Sequence, residues 1–223
     1  MPRFRLIQCD AVEALNKLKP ESIDCIIFDP AYESLEKHRA IGTTTRLTDE
    51  WFQIFPNTRF SELFAAMYRV MKPNSHLYMF SDQETMFVVK PVGERTGFRW
   101  WKFIVWDKVS IGMGYHYRNT HELVLFFEKG KRKLNNLGVS DVLTHKRVYR
   151  GYPTEKPDEI ATILIENSTD AGEVVLDCFC GSGSTGDAAL TLNRRFIGID
   201  ISESAIKVSR NRLSIIEGAR EQV

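Results

Sequence analysis

No apolar run in this chain of 223 residues reaches the ~20 residues that a membrane-spanning helix needs. Met1-Pro2-Arg3-Phe4-Arg5 leads into a strand-like segment without the apolar stretch of a signal peptide. A cytoplasmic protein with no membrane partner is the expectation. Cysteine is scarce, with four in all. Cys9, Cys25, Cys178 and Cys180 fall in or at the ends of predicted strands, where a reduced thiol behaves as a small hydrophobe. Cys178 and Cys180 form a C-x-C with no paired histidine nearby, so neither a redox pair nor a metal site is read. Net charge is nearly absent as well, at +1. Internal repeats and low-complexity stretches are lacking.

The charge that exists is unevenly spread. From Lys129 to Arg150 seven Lys or Arg stand against Asp141 alone, so this segment is net +6 and the rest of the chain net −5. A basic stretch on an acidic body is a candidate phosphate footprint, with Lys131, Arg132 and Lys133 at its centre. A solvated loop of flexible charge is the plainer reading of the same residues.

At this length the chain can bury the core of a single domain, 1–223. Strand and helix patterns alternate, which favours an α/β sheet with helices on both faces. Strands are predicted at Phe4 to Cys9, Ile23 to Phe28, His76 to Phe80, Phe98 to Trp106, His121 to Phe127, Val174 to Asp177 and Phe196 to Ile199. Helices are predicted at Ala11 to Leu18, Phe60 to Val70, Gln83 to Val89, Thr154 to Asn167, Ser184 to Leu192 and Ser202 to Ile216. Residues 33–58 read as a long polar loop, of the kind usually used as a lid or binding segment. With the basic segment 129–150 it is a candidate DNA-contacting insertion. Trp100, Trp101 and Trp106 read as core strand rather than base-stacking platforms. His116 and Tyr117, in a glycine-flanked loop, are candidates for the mouth of a base pocket.

Two short strings about 150 residues apart carry the chemistry. Phe179-Cys180-Gly181-Ser182-Gly183-Ser184-Thr185-Gly186 follows a strand and opens a helix. Glycines there let backbone approach a ligand where a Cβ would collide. Asp200 ends the next strand and is placed to accept hydrogen bonds from ribose hydroxyls. This unit suits a nucleoside cofactor and leaves a nicotinamide dinucleotide and S-adenosylmethionine both open. The other string, Asp29-Pro30-Ala31-Tyr32, also follows an apolar strand. An exocyclic amino nitrogen on adenine or cytosine is a poor nucleophile, because its lone pair is delocalised into the ring. The Asp29 carboxylate and the Pro30 carbonyl are two adjacent acceptors able to grip its N–H groups and favour a pyramidal nitrogen. Tyr32 would lie on the face of the flipped-out base, where stacking contributes ~1–3 kcal/mol. No metal is required.

With these motifs the chain resembles the beta-class DNA amino-methyltransferases, in which an Asp-Pro-Pro-Tyr acceptor motif precedes a Phe-x-Gly-x-Gly cofactor motif. The likeness spans nearly the whole length. Cys9-Asp10-Ala11 resembles the family's Gly-Asp-Ala, whose aspartate lies by the cofactor's adenine. Phe60 to Pro73 with His76 to Asp82 resembles the helix, turn and strand after the acceptor motif. Tyr117-Arg118-Asn119-Thr120-His121-Glu122 resembles the family's Tyr-Arg and His-Glu signatures. Tyr152-Pro153-Thr154-Glu155-Lys156-Pro157 resembles His-Pro-Thr-Gln-Lys-Pro, which approaches the methionine end of the cofactor. Arg195 to Asp200 resembles the ribose-binding strand. Ala31 for the second proline, and Tyr152 and Glu155 for His and Gln, are departures.

The resemblance implies a Rossmann-like S-adenosylmethionine-dependent methyltransferase fold, mostly parallel, with circularly permuted motif order. It implies catalysis by Asp29, Pro30 and Tyr32, and S-adenosyl-L-methionine held by Asp10, Ala11, Asp29, Lys156, Phe179, Gly181, Ser182, Gly183, Thr185, Asp200 and Ile201. DNA, double-stranded by preference, would be contacted by His116, Tyr117, Arg118, Lys131, Arg132 and Lys133. A homodimer is a further expectation. The implied activity is methylation of adenine N6, with cytosine N4 or a catalytically silent DNA-binding subunit as alternatives. Only about twenty residues fill the family's target-recognition region, and neither a recognition sequence nor a restriction-endonuclease partner is named by the chain.

Overall fold

The computed structural model describes residues 3–35, 53–112, 116–148 and 156–220. Eight strands form one sheet: β1 (Phe4–Gln8), β2 (Ile23–Phe28), β3 (Met71–Ser81), β4 (Arg99–Asp107), β5 (His121–Lys129), β6 (Val142–Thr144), β7 (Val174–Asp177) and β8 (Arg195–Asp200). Their spatial order is β1-β8-β7-β2-β3-β5-β4-β6. Only β5 runs against the rest, pairing antiparallel with both β3 and β4. Helices α1 (Ala11–Lys17), α2 (Phe60–Val70) and α3 (Thr85–Thr96) bury their apolar faces against one side of the sheet. Helices α4 (Asp158–Ser168), α5 (Ser184–Thr191) and α6 (Glu203–Arg220) cover the other. This is a Rossmann-like three-layer α/β fold.

Every residue of β2 and β7 is buried. Strands covered on both faces show a near-continuous apolar run rather than alternation, and both follow it, with Asp24 in β2 and Asp177 at the end of β7 as buried exceptions. They lie side by side, Cys25 opposite Val175 and Ile26 opposite Leu176. From β2 the chain moves outward to β3, and from β7 it moves the opposite way to β8. The crevice above their carboxyl ends is thus the topological switch point, where open α/β sheets bind ligands.

Several elements differ from the sequence expectation. The strand expected at 76–80 runs from Met71 to Ser81, with a register shift that lets Lys72 reach Asp24 at 2.7 Å. The helix expected to end at Val89 continues through Pro91 to Thr96 and stops at Gly97 in the left-handed conformation. Proline removes one i to i−4 bond, here that to the carbonyl of Phe87, a residue 75% exposed whose oxygen water can serve. β6 has only three residues, too few for a period, and lies inside the basic segment. Trp106 is core, its Nε1 donating to the His145 carbonyl at 2.7 Å, but Trp101 is half exposed and donates to Glu128 at 2.9 Å. The expected 154–167 helix is seen from Asp158. Most of the 33–58 loop and the stretch from Tyr149 to Glu155 lie outside the described residues.

Candidate active site

Immediately after β2, the Tyr32 hydroxyl donates to Asp29 Oδ1 at 2.6 Å. Burial, with the Asp29 charge beside it, pushes the phenol well up, so it stays a donor. The Ala31 carbonyl accepts from Phe55 N at 2.8 Å, and Tyr32 and Phe55 form a single parallel bridge. That bridge pins the acceptor turn to the described end of the long loop. Ala31 in place of a second proline therefore does not leave the turn loose.

On the neighbouring strand, Asp177 is buried, accepts from Phe179 N at 3.0 Å and takes a hydrogen bond from the Thr185 side chain. Burial, with Asp29 and Asp200 adding repulsion, pushes its carboxyl up to about 7. The glycine turn follows. Gly183 has φ +81°, and a Cβ there would sit 2.9 Å from Ser209 Oγ, so α6 closes this side of the turn. Asp200 ties the turn down, one oxygen accepting from Gly181 N and the other from Ser202 N, both at 2.9 Å. A carboxylate has about four lone-pair positions, which leaves two for other donors.

An aromatic and ionic arch flanks the glycine turn. Phe179 packs against Phe28 at 6.0 Å and Phe55 at 5.3 Å, and the Arg59 guanidinium lies 5.2 Å over the Phe55 ring. Arg59 forks onto Asp10 at 2.8 and 3.0 Å, and Asp10 also caps α1 through the N–H groups of Val12 and Glu13. Arg59, the strongest influence, holds the Asp10 carboxyl below the usual carboxylate range. Asp10 is thus committed to Arg59 and to the helix cap.

The acceptor and glycine turns thus stand on adjacent strand ends, in the order acceptor then glycine along the chain. A DNA methylase family, the N6/N4 methylases, matches residues 23–211. The chain belongs to this family of DNA amino-methyltransferases. It is 32% identical to the putative methylase YubD of Escherichia coli K12, over 98% of this chain and 93% of that protein. It is 29% identical to the type II methyltransferase M.HpaI of Haemophilus parainfluenzae, over 94% of this chain and 74% of that protein. Among solved structures, the M1.HpyAVI–SAM complex superposes with a TM-score of 0.72 at 25% identity, covering 94% of this chain and all of that one. The PvuII cytosine-N4-specific DNA methyltransferase shares the fold, with a TM-score of 0.75 at 15% identity over 98% of this chain and 91% of that one.

Lys156, expected near the cofactor, and Glu122 of the His-Glu signature meet residues of this methylase that were not singled out from sequence. Lys156 Nζ bonds to Asp29 Oδ2 and lies 3.5 Å from Glu122 Oε2. Glu122 Oε1 in turn faces Lys108 at 3.3 Å and Arg147 at 3.5 Å. On the other flank Ser34 Oγ donates to Asp82, which caps the start of α3 through Thr85 N at 2.7 Å. The Glu122 cluster is visible only in three dimensions, because its members come from four separate segments. Asp177 had a signal: an acid two residues before Phe179 at the end of a buried strand.

His116, Tyr117 and Arg118 lie exposed on the β4–β5 hairpin, at the same end of the sheet as Asp29. Ser182 and Thr185 are buried in the glycine turn, Ala11 is buried in the first turn of α1, and Ile201 is about half exposed beyond β8. The structure does not bring Lys131, Arg132 and Lys133 to this site. Because β5 is reversed, its last residue, Lys129, pairs with Ser75 at the amino end of β3. The triad follows at that far end, where Arg132 faces Asp170 and Glu173, both at 3.4 Å. Lys129 is no surface cation either; it is buried, donating to the carbonyls of Tyr68 and Met71 at 2.7 Å. Among the described residues no cluster could hold a metal ion, and no helix is long and apolar enough to cross a membrane.

Proposed function

We propose that this methylase transfers a methyl group from S-adenosylmethionine to the exocyclic amino nitrogen of a flipped-out base in double-stranded DNA, adenine N6 in preference to cytosine N4. The observation that carries the reading is the acceptor turn headed by Asp29, one strand away from the glycine turn. In the beta-class enzymes that the chain resembles, aspartate at the head of that motif leans to adenine, where serine leans to cytosine N4. The residues fit the cofactor. Phe179 offers a half-buried ring, and Asp200 keeps acceptor capacity for ribose hydroxyls.

When bound, S-adenosylmethionine supplies a methyl activated by its sulfonium. The protein's part is positioning. Asp29 and the Pro30 carbonyl accept from the two amino N–H groups, which localises the nitrogen lone pair and points it at the methyl. Methylation would leave the amino nitrogen with a surplus proton, and the Asp29 carboxylate would take it up. Tyr32, bonded to Asp29 Oδ1, fixes that carboxylate's orientation.

Asp29→Ala is expected to abolish methylation while leaving S-adenosylmethionine affinity within a few-fold by calorimetry. Turnover that survives would place the amino grip elsewhere. Expression in a methylation-free host, followed by modification-sensitive sequencing of its DNA, gives base and sequence context together; N4-methylcytosine in place of N6-methyladenine would reverse the choice of base.

A further inference from the structure

Both oxygens of Asp29 are occupied. Oδ1 takes the Tyr32 hydroxyl, and Oδ2 takes the Lys156 ammonium in a close ion pair. A carboxylate neutralised by an ammonium is a weak acceptor for an amino group and a weak acceptor for its proton. The pair must loosen before Asp29 can do the work assigned to it. An ammonium this enclosed cannot simply be set free, because an unpaired buried charge is strongly unfavourable.

Glu122 offers the alternative. Its Oε1 faces Lys108 and Arg147, whereas Oε2 faces Lys156 at 3.5 Å. All three separations, 3.3 to 3.5 Å, exceed the ~2.7–2.9 Å of a tight charge-assisted bond. Lys156 has to move by less than about 1 Å to close that gap. Burial works against the charge of Glu122, but Lys156, Lys108 and Arg147 outweigh it and keep the carboxyl below its usual range. Burial likewise works against the Lys156 ammonium, and Asp29 and Glu122 together more than restore it. Among the described residues, Tyr32, Asp82, Asp177 and Asp200 are further ionisable groups around the pair.

We infer that Glu122 is a positioning residue: it is the second seat to which Lys156 withdraws, releasing the Asp29 carboxylate to grip the amino group of the base. The inference rests on the amino-transfer reading above. It gives Lys156 a role distinct from contact with the cofactor, since the ammonium acts as a gate on Asp29.

The experiment is a double-mutant cycle on the full-length protein, read by single-turnover methyl transfer to a DNA duplex carrying the site found by sequencing. Glu122→Gln keeps the shape and removes the seat. It is expected to slow transfer about tenfold or more, with S-adenosylmethionine affinity unchanged within about two-fold. In a Lys156→Met background the same substitution should have no further effect on the rate. Glu122→Asp, which retains the charge, should recover most of the rate, and thermal unfolding of each variant separates loss of fold from loss of positioning.

An unchanged rate in Glu122→Gln overturns the proposal. So does an equal loss in the Lys156→Met background, or a Glu122→Asp variant as slow as Glu122→Gln. Asp29→Ala run alongside keeps the two readings apart. Activity that survives it removes the amino grip and the gate together. Activity lost there but intact in Glu122→Gln removes the gate alone.

Discussion

Asp177 is a case where one buried carboxyl works against the fold that contains it. In an unfolded chain its pKa is near 3.8, whereas in the folded protein burial raises it to about 7. The folded state therefore holds the proton more tightly. Stability contributed by this group is full below the unfolded value and is lost as pH rises to about 7, after which the loss levels off. Asp177→Asn keeps an acceptor for Phe179 N and removes the charge. In urea unfolding of the cofactor-free protein it is expected to be more stable than the wild type by roughly 2–4 kcal/mol at pH 8, with the advantage vanishing towards pH 4. A pH-independent difference would assign the effect to packing instead. A buried acid beside the glycine turn, costly to the fold, is the sort of local conflict that functional sites retain.

At the scale of elements, the glycine turn shows how one residue type serves two ends. Gly183 answers to the turn itself, whereas Gly186 answers to packing within α5. A Cβ at Gly186 would lie 2.7 Å from the ring of Phe196 on β8 and 3.0 Å from Leu213 on α6. Alanine gains about 1 kcal/mol of helix propensity over glycine. Overpacking a rigid aromatic contact costs about 1–3 kcal/mol. The clash wins, and Gly186→Ala should destabilise the protein by up to about 2 kcal/mol in urea unfolding. Shrinking the partner in Gly186→Ala/Phe196→Leu should cost less than the two single changes together. What was legible in the sequence follows the same division. β2, β7 and the glycine turn could be read because continuous apolar runs and turn glycines are local signals. The pairing of β2 with β7 could not, because strand order is set by packing between residues 150 apart. Asp177 therefore read as a strand end, and the meeting of Lys156, Glu122, Lys108 and Arg147 left no trace. β6 was too short to show a period, and α3 continued past Pro91 because the helix is exposed where the bond is lost.

For the whole molecule, the decisive fact is that the basic segment is split between the two ends of the sheet. It starts beyond β5 at the far end, returns along β6, and reaches the site end at His145, whose N–H bonds to the Asp107 carbonyl at 3.0 Å. Lys131 and Lys133 thus lie at the amino ends of the parallel strands, whereas Lys146 and Arg118 are exposed at the carboxyl end of the sheet, where Asp29 also lies. A duplex that delivers a base to Asp29 must lay its backbone across the crevice, and phosphates lie along that line. Each phosphate neutralised on B-DNA contributes about −0.9 to the slope of log K against log salt. Neutralising Arg118 and Lys146 to Gln should weaken duplex binding at every sequence and reduce the magnitude of that slope by about two. The same change at Lys131 and Lys133 should leave affinity and slope within error, although it removes an equal charge. The paired comparison matters because net charge is matched, so only position differs. An equal slope change from both pairs would mean that the duplex wraps to the far end of the sheet, and a change from the far pair alone would mean that DNA enters from the opposite side to the crevice.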